Sequence, residues 1–251
     1  MNRNQLRQVV ATLLRAGRRD LAYQYVQAAE GGFKYNIATT PLAKAREFAA
    51  AVFKRAGKEL DEELPDFDKN YMKIQSTLKK TKAIPRIEMP VIEPRDMKEF
   101  HARLKSGRLD IFQPYARGKL SVPKNLKPGA DAAEWLELGV KDGDPKDDVV
   151  PAKWTSMPAK NLLPTQSQIW LDKVVGNIAK FGKPKQGSSV TEQTIIVSKE
   201  GYILDGHHRF GQAMMADPKL KLKALFIPIG IDTLVAVGRT YGNSIGNEQK
   251  G

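Results

Sequence analysis

Residues 194–215 read TIIVSKEGYILDGHHRFGQAMM, and this stretch predicts two short strands, a tight turn and the start of a helix. Residues 195–197 are β-branched, which favours a strand. Residues 199–201 end in a glycine, the residue that tolerates positive φ in a hairpin turn. A second apolar run covers residues 202–204, and apolar side chains then recur at helical spacing. We therefore expect a β-hairpin that leads directly into a helix.

The DGHHR segment, Asp205–Arg209, joins the second strand to this helix. A helix N-terminus presents unpaired N–H groups and the positive end of the helix dipole, which together attract anions. Gly206 lets the backbone approach a ligand closely, and His207, His208 and Arg209 add donors and positive charge. The combination predicts a phosphate-binding site, most simply for the phosphates of a nucleotide.

Asp205 has alternative roles at this position. It can cap the helix, orient a histidine or hold a metal ion such as Mg²⁺. A simpler interpretation also stays open, in which a hairpin leads into a helix, Asp205 is the N-cap and both histidines are solvated.

The hairpin that ends in D-G-x-x-R and leads into an alanine-bearing helix resembles the ParB/sulfiredoxin-fold superfamily. That superfamily includes partition-protein domains, sulfiredoxins, free-serine kinases, and ParB-like nucleases and ATPases of phages and plasmids. Gly206 and Arg209 match the glycine and arginine of the motif, and His208 matches the sulfiredoxin histidine. His207 stands where sulfiredoxins carry their catalytic cysteine. Because the chain has no cysteine, sulfiredoxin chemistry is excluded.

The resemblance extends over residues 152–240. Residues 158–166 are similar to the first conserved box of the superfamily, residues 170–181 to the helix that follows it, and residues 224–229 to a closing strand. The resemblance implies nucleotide phosphates at the DGHHR segment but does not choose among the activities of the superfamily.

The composition favours an acidic partner. The chain of 251 residues has 41 Lys and Arg against 28 Asp and Glu, a formal net charge of +13 and a pI near 9.7. Nucleic acid is the default partner of such a chain, although a solvated basic surface is the plain alternative. No apolar run reaches the length of a transmembrane helix, and the N-terminus shows no secretory signal. We expect a cytoplasmic protein without a membrane partner, in the host cytoplasm if a phage encodes it.

The organisation predicted from the sequence is α+β. An all-helical N-terminal region covers residues 1–83, an extended and loop-rich connector covers 84–151, and a ParB/sulfiredoxin-like domain with a mixed sheet and helices covers 152–251. Predicted helices cover residues 3–15, 20–29, 40–56 and 97–105, and a C-terminal helix begins near residue 232. Thr40 is the expected N-cap of the helix over 40–56, and Gly57 and Gly107 are the expected ends of the helices over 40–56 and 97–105. Residues 59–68 are predicted as a loop, and residues 71–82 are either a short basic helix or an extended linker.

Basic residues outside the DGHHR segment supply further candidate contacts. Arg15, Arg18 and Arg19 lie in the first predicted helical hairpin, which is either a DNA-reading element or a docking appendage. Lys183 and Lys185 lie in a flexible loop that either contacts a phosphate backbone or is simply exposed. These five residues are the predicted nucleic-acid contacts.

Two further groups bear on the phosphate site. Arg239 is a candidate second phosphate contact. An acidic stretch at residues 142–148 is either a Mg²⁺ site or a solvated turn, and it lacks the spacing of an EF-hand.

The function predicted from the sequence is nucleotide-phosphate binding, with ATP hydrolysis or phosphoryl transfer and nucleic-acid association. The cofactors are ATP or another nucleotide, and Mg²⁺. Asp205, His207 and His208 are the predicted catalytic residues, and Asp205 is the predicted metal ligand. Gly206, His208, Arg209 and Arg239 are the predicted phosphate contacts.

Two alternatives come from other classes. One is a metal-dependent DNA nuclease, with Asp205 and the histidines activating water. The other is a non-catalytic DNA-binding or assembly protein of a phage or plasmid. A homo-oligomer or a phage or plasmid partner protein fits either.

Overall fold

A computed structural model describes residues 8, 9, 11–13, 15, 35–109, 111, 146–166 and 168–247 of the protein. Residues 8, 9, 11–13 and 15 are helical, as expected for the first predicted helix. The second predicted helix lies outside the described residues, as do Arg18, Arg19 and most of the acidic stretch.

Helices come first along the rest of the described chain, and strands and helices follow from residue 153 onward. The elements are α1 (Leu42–Arg55), α2 (Leu60–Glu63), α3 (Phe67–Leu78), a 3₁₀ turn (Arg86–Glu88), α4 (Met97–Ser106), β1 (Lys153–Pro158), a second 3₁₀ turn (Ala159–Asn161), β2 (Leu163–Pro164), α5 (Leu171–Phe181), α6 (Ser189–Glu192), β3 (Ile195–Val197), β4 (Tyr202–Asp205), α7 (His207–Ala216), β5 (Lys221–Phe226) and α8 (Ile231–Ser244).

The sheet is mixed, with strand order β1-β5-β3-β4-β2. β1 pairs antiparallel with β5, β5 pairs parallel with β3, β3 pairs antiparallel with β4, and β4 pairs parallel with β2. The predicted hairpin is therefore β3–β4, and it lies in the middle of the sheet. Gly201 has φ +87° in its turn, as the glycine at this position predicts.

The central strands alternate their side chains between two hydrophobic clusters, as strand geometry requires. Ile195 and Val197 face the first cluster, which includes side chains of α1, α3, α5 and α7. Ile196 faces the second cluster, which includes side chains of α4 and α8. The sheet is thus covered by helices on both faces, and the α+β class is confirmed.

The first cluster crosses the predicted boundary at residue 83. Phe53 of α1 and Tyr71 of α3 are fully buried in the same cluster as Phe210 of α7. Asn70 of α3 donates a hydrogen bond to the carbonyl oxygen of Met215 at 3.0 Å. α1, α2 and α3 of the predicted N-terminal region therefore pack as part of the sheet domain's core.

Glycines mark the helix ends that the sequence signals. α4 ends at Gly107, which has φ +69° as its C-cap, and α1 is followed by Gly57 with φ +71°. Pro41 is the N-cap of α1 and makes no side-chain cap, so the expected threonine cap is absent there. Residues 59–68, predicted as a loop, contain α2 and the start of α3. Among the described residues, no helix is long and apolar enough to cross a membrane.

Candidate functional site

The DGHHR segment occupies the end of β4 and the first turn of α7. Gly206 is the N-cap and makes the left-handed bend with φ +107°, and no side chain caps the helix. The carbonyl of Gly206 accepts the first helical hydrogen bond, from Phe210 at 2.9 Å. The N–H groups of His207, His208 and Arg209 lie in the first turn, where a helix has no internal acceptor for them. Asp205 is therefore not the N-cap that the simpler interpretation required.

Gly206 is needed for packing inside the fold. A Cβ at this position would lie 2.3 Å from Cγ2 of Ile195 on β3. The missing side chain thus lets the bend pass directly over the neighbouring strand. Close approach to Ile195 is thus one reason for this glycine, and the expected close approach to a ligand stays a prediction.

His207 is buried, and its ring ties α7 to the chain after β2. Its Nε2 accepts hydrogen bonds from the backbone N–H groups of Thr165, at 3.1 Å, and Gln166, at 3.3 Å. Nδ1 therefore carries the proton, and a hydrogen bond with the backbone of Ile203 engages the ring further. Burial, followed by the charges of Arg86 and Arg209, lowers the pKa of His207 to about 3. With its ring engaged in this way, His207 positions α7, and this geometry gives no support to the predicted catalytic role.

His208 is also neutral but has one ring nitrogen less constrained. Its Nε2 accepts the backbone N–H of Trp170 at 3.2 Å, so the proton resides on Nδ1. Burial, then the charges of Arg86 and Lys173, lower the pKa of His208 well below its usual value. The ring can therefore donate one hydrogen bond from Nδ1, and it holds no charge at neutral pH.

Arg209 is oriented by two side chains. Its Nη2 binds Oδ2 of Asp205 at 2.6 Å, and its Nη1 donates to Oε1 of Gln193 at 3.3 Å. The side chain of Arg209 is 14% exposed and that of Asp205 39% exposed. Asp205 thus holds the guanidinium in place beside the helix start.

A cavity of about 310 Å³ opens at this helix start. One side consists of Leu204 and the DGHHR segment, with Gln166 beside them. The other side is the wall segment, which we define as residues 86–94. Its lining residues are Arg86 and residues 89–94. Arg86 lies on this wall, and its charge acts on both histidine rings. The cavity therefore combines a polar end with two arginines and an apolar side.

The wall segment is fixed by α8. Arg239 is buried, and its Nε donates to the backbone carbonyl of Glu88. Burial lowers the pKa of Arg239 to about 10. Asn247 donates to the carbonyl of Val91 at 3.0 Å. Arg239 is not among the residues that line the cavity. It braces the wall, and the predicted phosphate contact is replaced by this supporting role.

Gly242 brings the backbone of α8 against the wall segment. A Cβ there would lie 2.6 Å from the carbonyl oxygen of Val91. We expect Gly242→Ala to shift the wall and to lower the free energy of unfolding by about 1–3 kcal/mol, as overpacking does. Gly176→Ala on α5 is the matched control, because its Cβ meets nothing within 4 Å. That control should be neutral or slightly stabilising in denaturant titrations. An unchanged Gly242→Ala protein would contradict the close contact.

The remaining predicted contacts lie away from the cavity. Lys183 and Lys185 are exposed on the loop after α5, and Arg15 is exposed on its helical stretch. None of these three residues lines the cavity. Their predicted roles in nucleic-acid binding remain predictions.

Two carboxylates line the cavity, Asp205 and Glu93. Each is paired with an arginine, since Glu93 Oε2 lies 3.1 Å from Nη2 of Arg95. Within the described ranges, no three His, Cys, Asp or Glu side chains are grouped as a metal site. The donors present suit a Mg²⁺ ion held mainly by phosphates and water, which needs only one or two carboxylates.

Sequence reasoning missed Arg86 and Glu93. Both lie in a proline-rich stretch that was assigned to an extended connector. Their place at the cavity depends on a backbone pairing of Ile84 with Gln166 and on the support from α8. A charged residue between prolines was the only local signal, and such a signal is weak.

Comparisons of the chain with protein-family models, with curated proteins and with solved structures find no match.

Proposed function

We propose that the protein binds a nucleotide through its phosphates at the N-terminus of α7, and that it hydrolyses ATP or transfers a phosphoryl group. Nucleic acid is the second partner in this proposal, and its basis is the net charge of +13. The observation that carries the proposal is a helix start without a side-chain cap that opens, together with Arg86 and Arg209, onto one cavity.

The polar end of the cavity suits a polyphosphate. Backbone N–H groups at a helix start bind phosphate oxygens, and the helix dipole adds to the attraction. Arg209 is already oriented by Asp205, so it loses little freedom when it binds an anion. His208 stays neutral and can donate from Nδ1, which supports a hydrogen bond to a phosphate oxygen.

The apolar wall suits the other end of a nucleotide. Met89, Pro90, Val91, Ile92 and Leu204 form the apolar part of the cavity lining. A volume of about 310 Å³ lies at the lower end of the range for small-molecule sites. A site of this size supports binding of the phosphates and part of the nucleoside, with the remainder extending to solvent.

The chemistry assigned to the chain's own groups is electrostatic. The two arginines neutralise charge that develops on the transferred phosphoryl group. Mg²⁺, where bound, would supply further charge neutralisation, with Asp205 and Glu93 as the carboxylates within reach of the cavity. Because each carboxylate has an arginine partner, metal binding there competes with an ion pair.

Calorimetric titration with ATP, ADP and CTP, with and without Mg²⁺, tests the proposal. We expect wild-type protein to bind and Arg86→Ala to lose about ten- to a hundredfold in affinity, since a charge-assisted hydrogen bond contributes roughly 1.5–3 kcal/mol. Arg103→Ala is the control, because Arg103 forms a surface pair with Glu99 on α4 and does not line the cavity. It should bind as wild type does.

His208→Gln separates the donor role from the structural role. Glutamine can place its side-chain oxygen near the position of Nε2 and still accept the N–H of Trp170. Its amide group remains a donor but then lies away from the position of Nδ1. We therefore use this variant in the same titrations and in assays of phosphate release, where reduced binding or turnover with unchanged unfolding supports the proposed contact. Failure of every nucleotide to bind wild-type protein would contradict the proposal, and metal-dependent DNA cleavage without nucleotide would assign the site to a nuclease.

A further inference from the structure

Trp154 is an exposed aromatic residue on an edge strand. It lies on β1, the first strand in the sheet order, and 41% of it is accessible to solvent. Its ring centroid is 5.5 Å from that of His101 on α4, with the planes inclined by 51°. Nε2 of His101 is in turn 3.1 Å from the carbonyl oxygen of Ala152. The indole is thus supported on one side and open on another.

The register of β1 and β5 places basic residues beside this indole. Trp154 pairs with Leu225, Ser156 with Lys223, and Pro158 with Lys221. Cross-strand partners, and residues two apart on one strand, project from the same face of a sheet. Ser156, Lys221 and Lys223 are all exposed. We call the exposed residues Trp154, Ser156, Lys221 and Lys223 the sheet strip.

The sheet strip is positively charged. Within the described ranges, no carboxylate pairs with Lys221 or Lys223 in an ion pair. Lys98 and Lys105 on α4 are exposed and lie three and four residues from His101, so they share its helix face. Both elements beside the indole, β5 and α4, therefore carry exposed lysines.

We infer that the sheet strip binds single-stranded nucleic acid, with Trp154 stacking on a base and Lys221 and Lys223 contacting the phosphate backbone. An aromatic platform next to a basic track is how proteins bind single strands without sequence preference. Charge complementarity selects this anionic occupant over a basic or neutral one. The inference deepens the nucleic-acid association of the proposed function by assigning its surface, and it requires nothing of the cavity.

Fluorescence anisotropy with the full chain tests this inference. The probes are dye-labelled oligo(dT) and oligo(U) of about fifteen nucleotides, titrated at several KCl concentrations. We expect wild-type protein to bind at least one of them and Trp154→Ala to weaken that binding about tenfold or more at every salt concentration. Lys221→Gln with Lys223→Gln should reduce the salt slope by about one for each lysine.

Two controls address the other exposed groups. Phe181→Ala removes an aromatic side chain that is 71% exposed at the end of α5, and Lys54→Gln removes an exposed lysine of α1. Both should bind the oligonucleotides as wild type does. The inference is overturned if wild-type protein does not bind, if it binds only duplex, or if Phe181→Ala loses as much as Trp154→Ala.

A failure of the sheet strip to bind single strands can be distinguished from a failure of the cavity to bind nucleotide. Trp154→Ala should retain the calorimetric affinity for nucleotide, because Trp154 does not line the cavity. Arg86→Ala should retain oligonucleotide binding for the converse reason. If Arg86→Ala weakens oligonucleotide binding and Trp154→Ala does not, single strands enter the cavity. This result would also overturn the inference that the sheet strip binds them.

Discussion

Gly206→Ala is expected to lower the free energy of unfolding by roughly 4 kcal/mol or more, a large part of the stability of an ordinary domain. Two causes add. An alanine held at φ +107° is strained, and its Cβ would lie 2.3 Å from Cγ2 of Ile195 in the middle of the sheet. Since β3 and α7 are both packed in the core, neither can move away cheaply. Denaturant titration monitored by circular dichroism measures the loss.

Gly57→Ala measures the backbone part of this effect, and its difference from Gly206→Ala gives the steric part. Gly57 also has positive φ, at +71°, but its Cβ would meet nothing within 4 Å. We expect about 1–2 kcal/mol for this control, the cost of the backbone conformation alone. A second check combines Gly206→Ala with Ile195→Ala, which removes the contacted methyl group. The double variant should be more stable than the sum of the two single losses indicates. If Gly206→Ala costs no more than Gly57→Ala, the close contact with β3 is refuted.

His207→Leu is expected to lower the free energy of unfolding by about 3–5 kcal/mol. Leucine fills the buried volume but leaves the backbone N–H groups of Thr165 and Gln166 without their acceptor. Each unsatisfied buried N–H costs about 1–3 kcal/mol. His207→Gln supplies an oxygen near the position of Nε2 and should recover a substantial part of this loss in the same titrations.

The pH dependence of stability gives His207 a second signature. Its pKa is about 3 in the folded protein, below the value near 6.5 of an unfolded chain. The unfolded state therefore binds more protons between these values, and stability falls as pH decreases from about 6.5. Between pH 7 and about pH 4.5, wild type should lose roughly 2–3 kcal/mol more than His207→Gln does. Equal losses in the two proteins would show that His207 is not held neutral.

Local signals in the sequence predicted most of the sheet domain. The hairpin of residues 195–205, the helix that follows it, and the ends of α4 and α1 at Gly107 and Gly57 were all expected from β-branched runs and glycines. Each of these signals acts within a few residues, so it predicts local structure without knowledge of the tertiary contacts. The charged groups of the DGHHR segment were identified for the same reason.

The features that the sequence did not reveal all depend on distant contacts. Arg86 reaches the cavity only because a wall segment far away in sequence packs beside the DGHHR segment. The proton position on His207 depends on two backbone groups more than forty residues earlier, at Thr165 and Gln166. The sheet strip appears only when the register of β1 and β5 is known. No periodicity carries this information, because it belongs to tertiary packing.

The support of the wall segment by α8 has a consequence for biosynthesis. Arg239 binds the carbonyl of Glu88 across a separation of 151 residues, and Asn247 binds Val91 across 156. A ribosome therefore makes one side of the cavity long before the helix that holds it in place. Contacts of such range form late in folding, after local structure. The wall of the cavity is consequently held in place only in chains whose translation has passed Asn247.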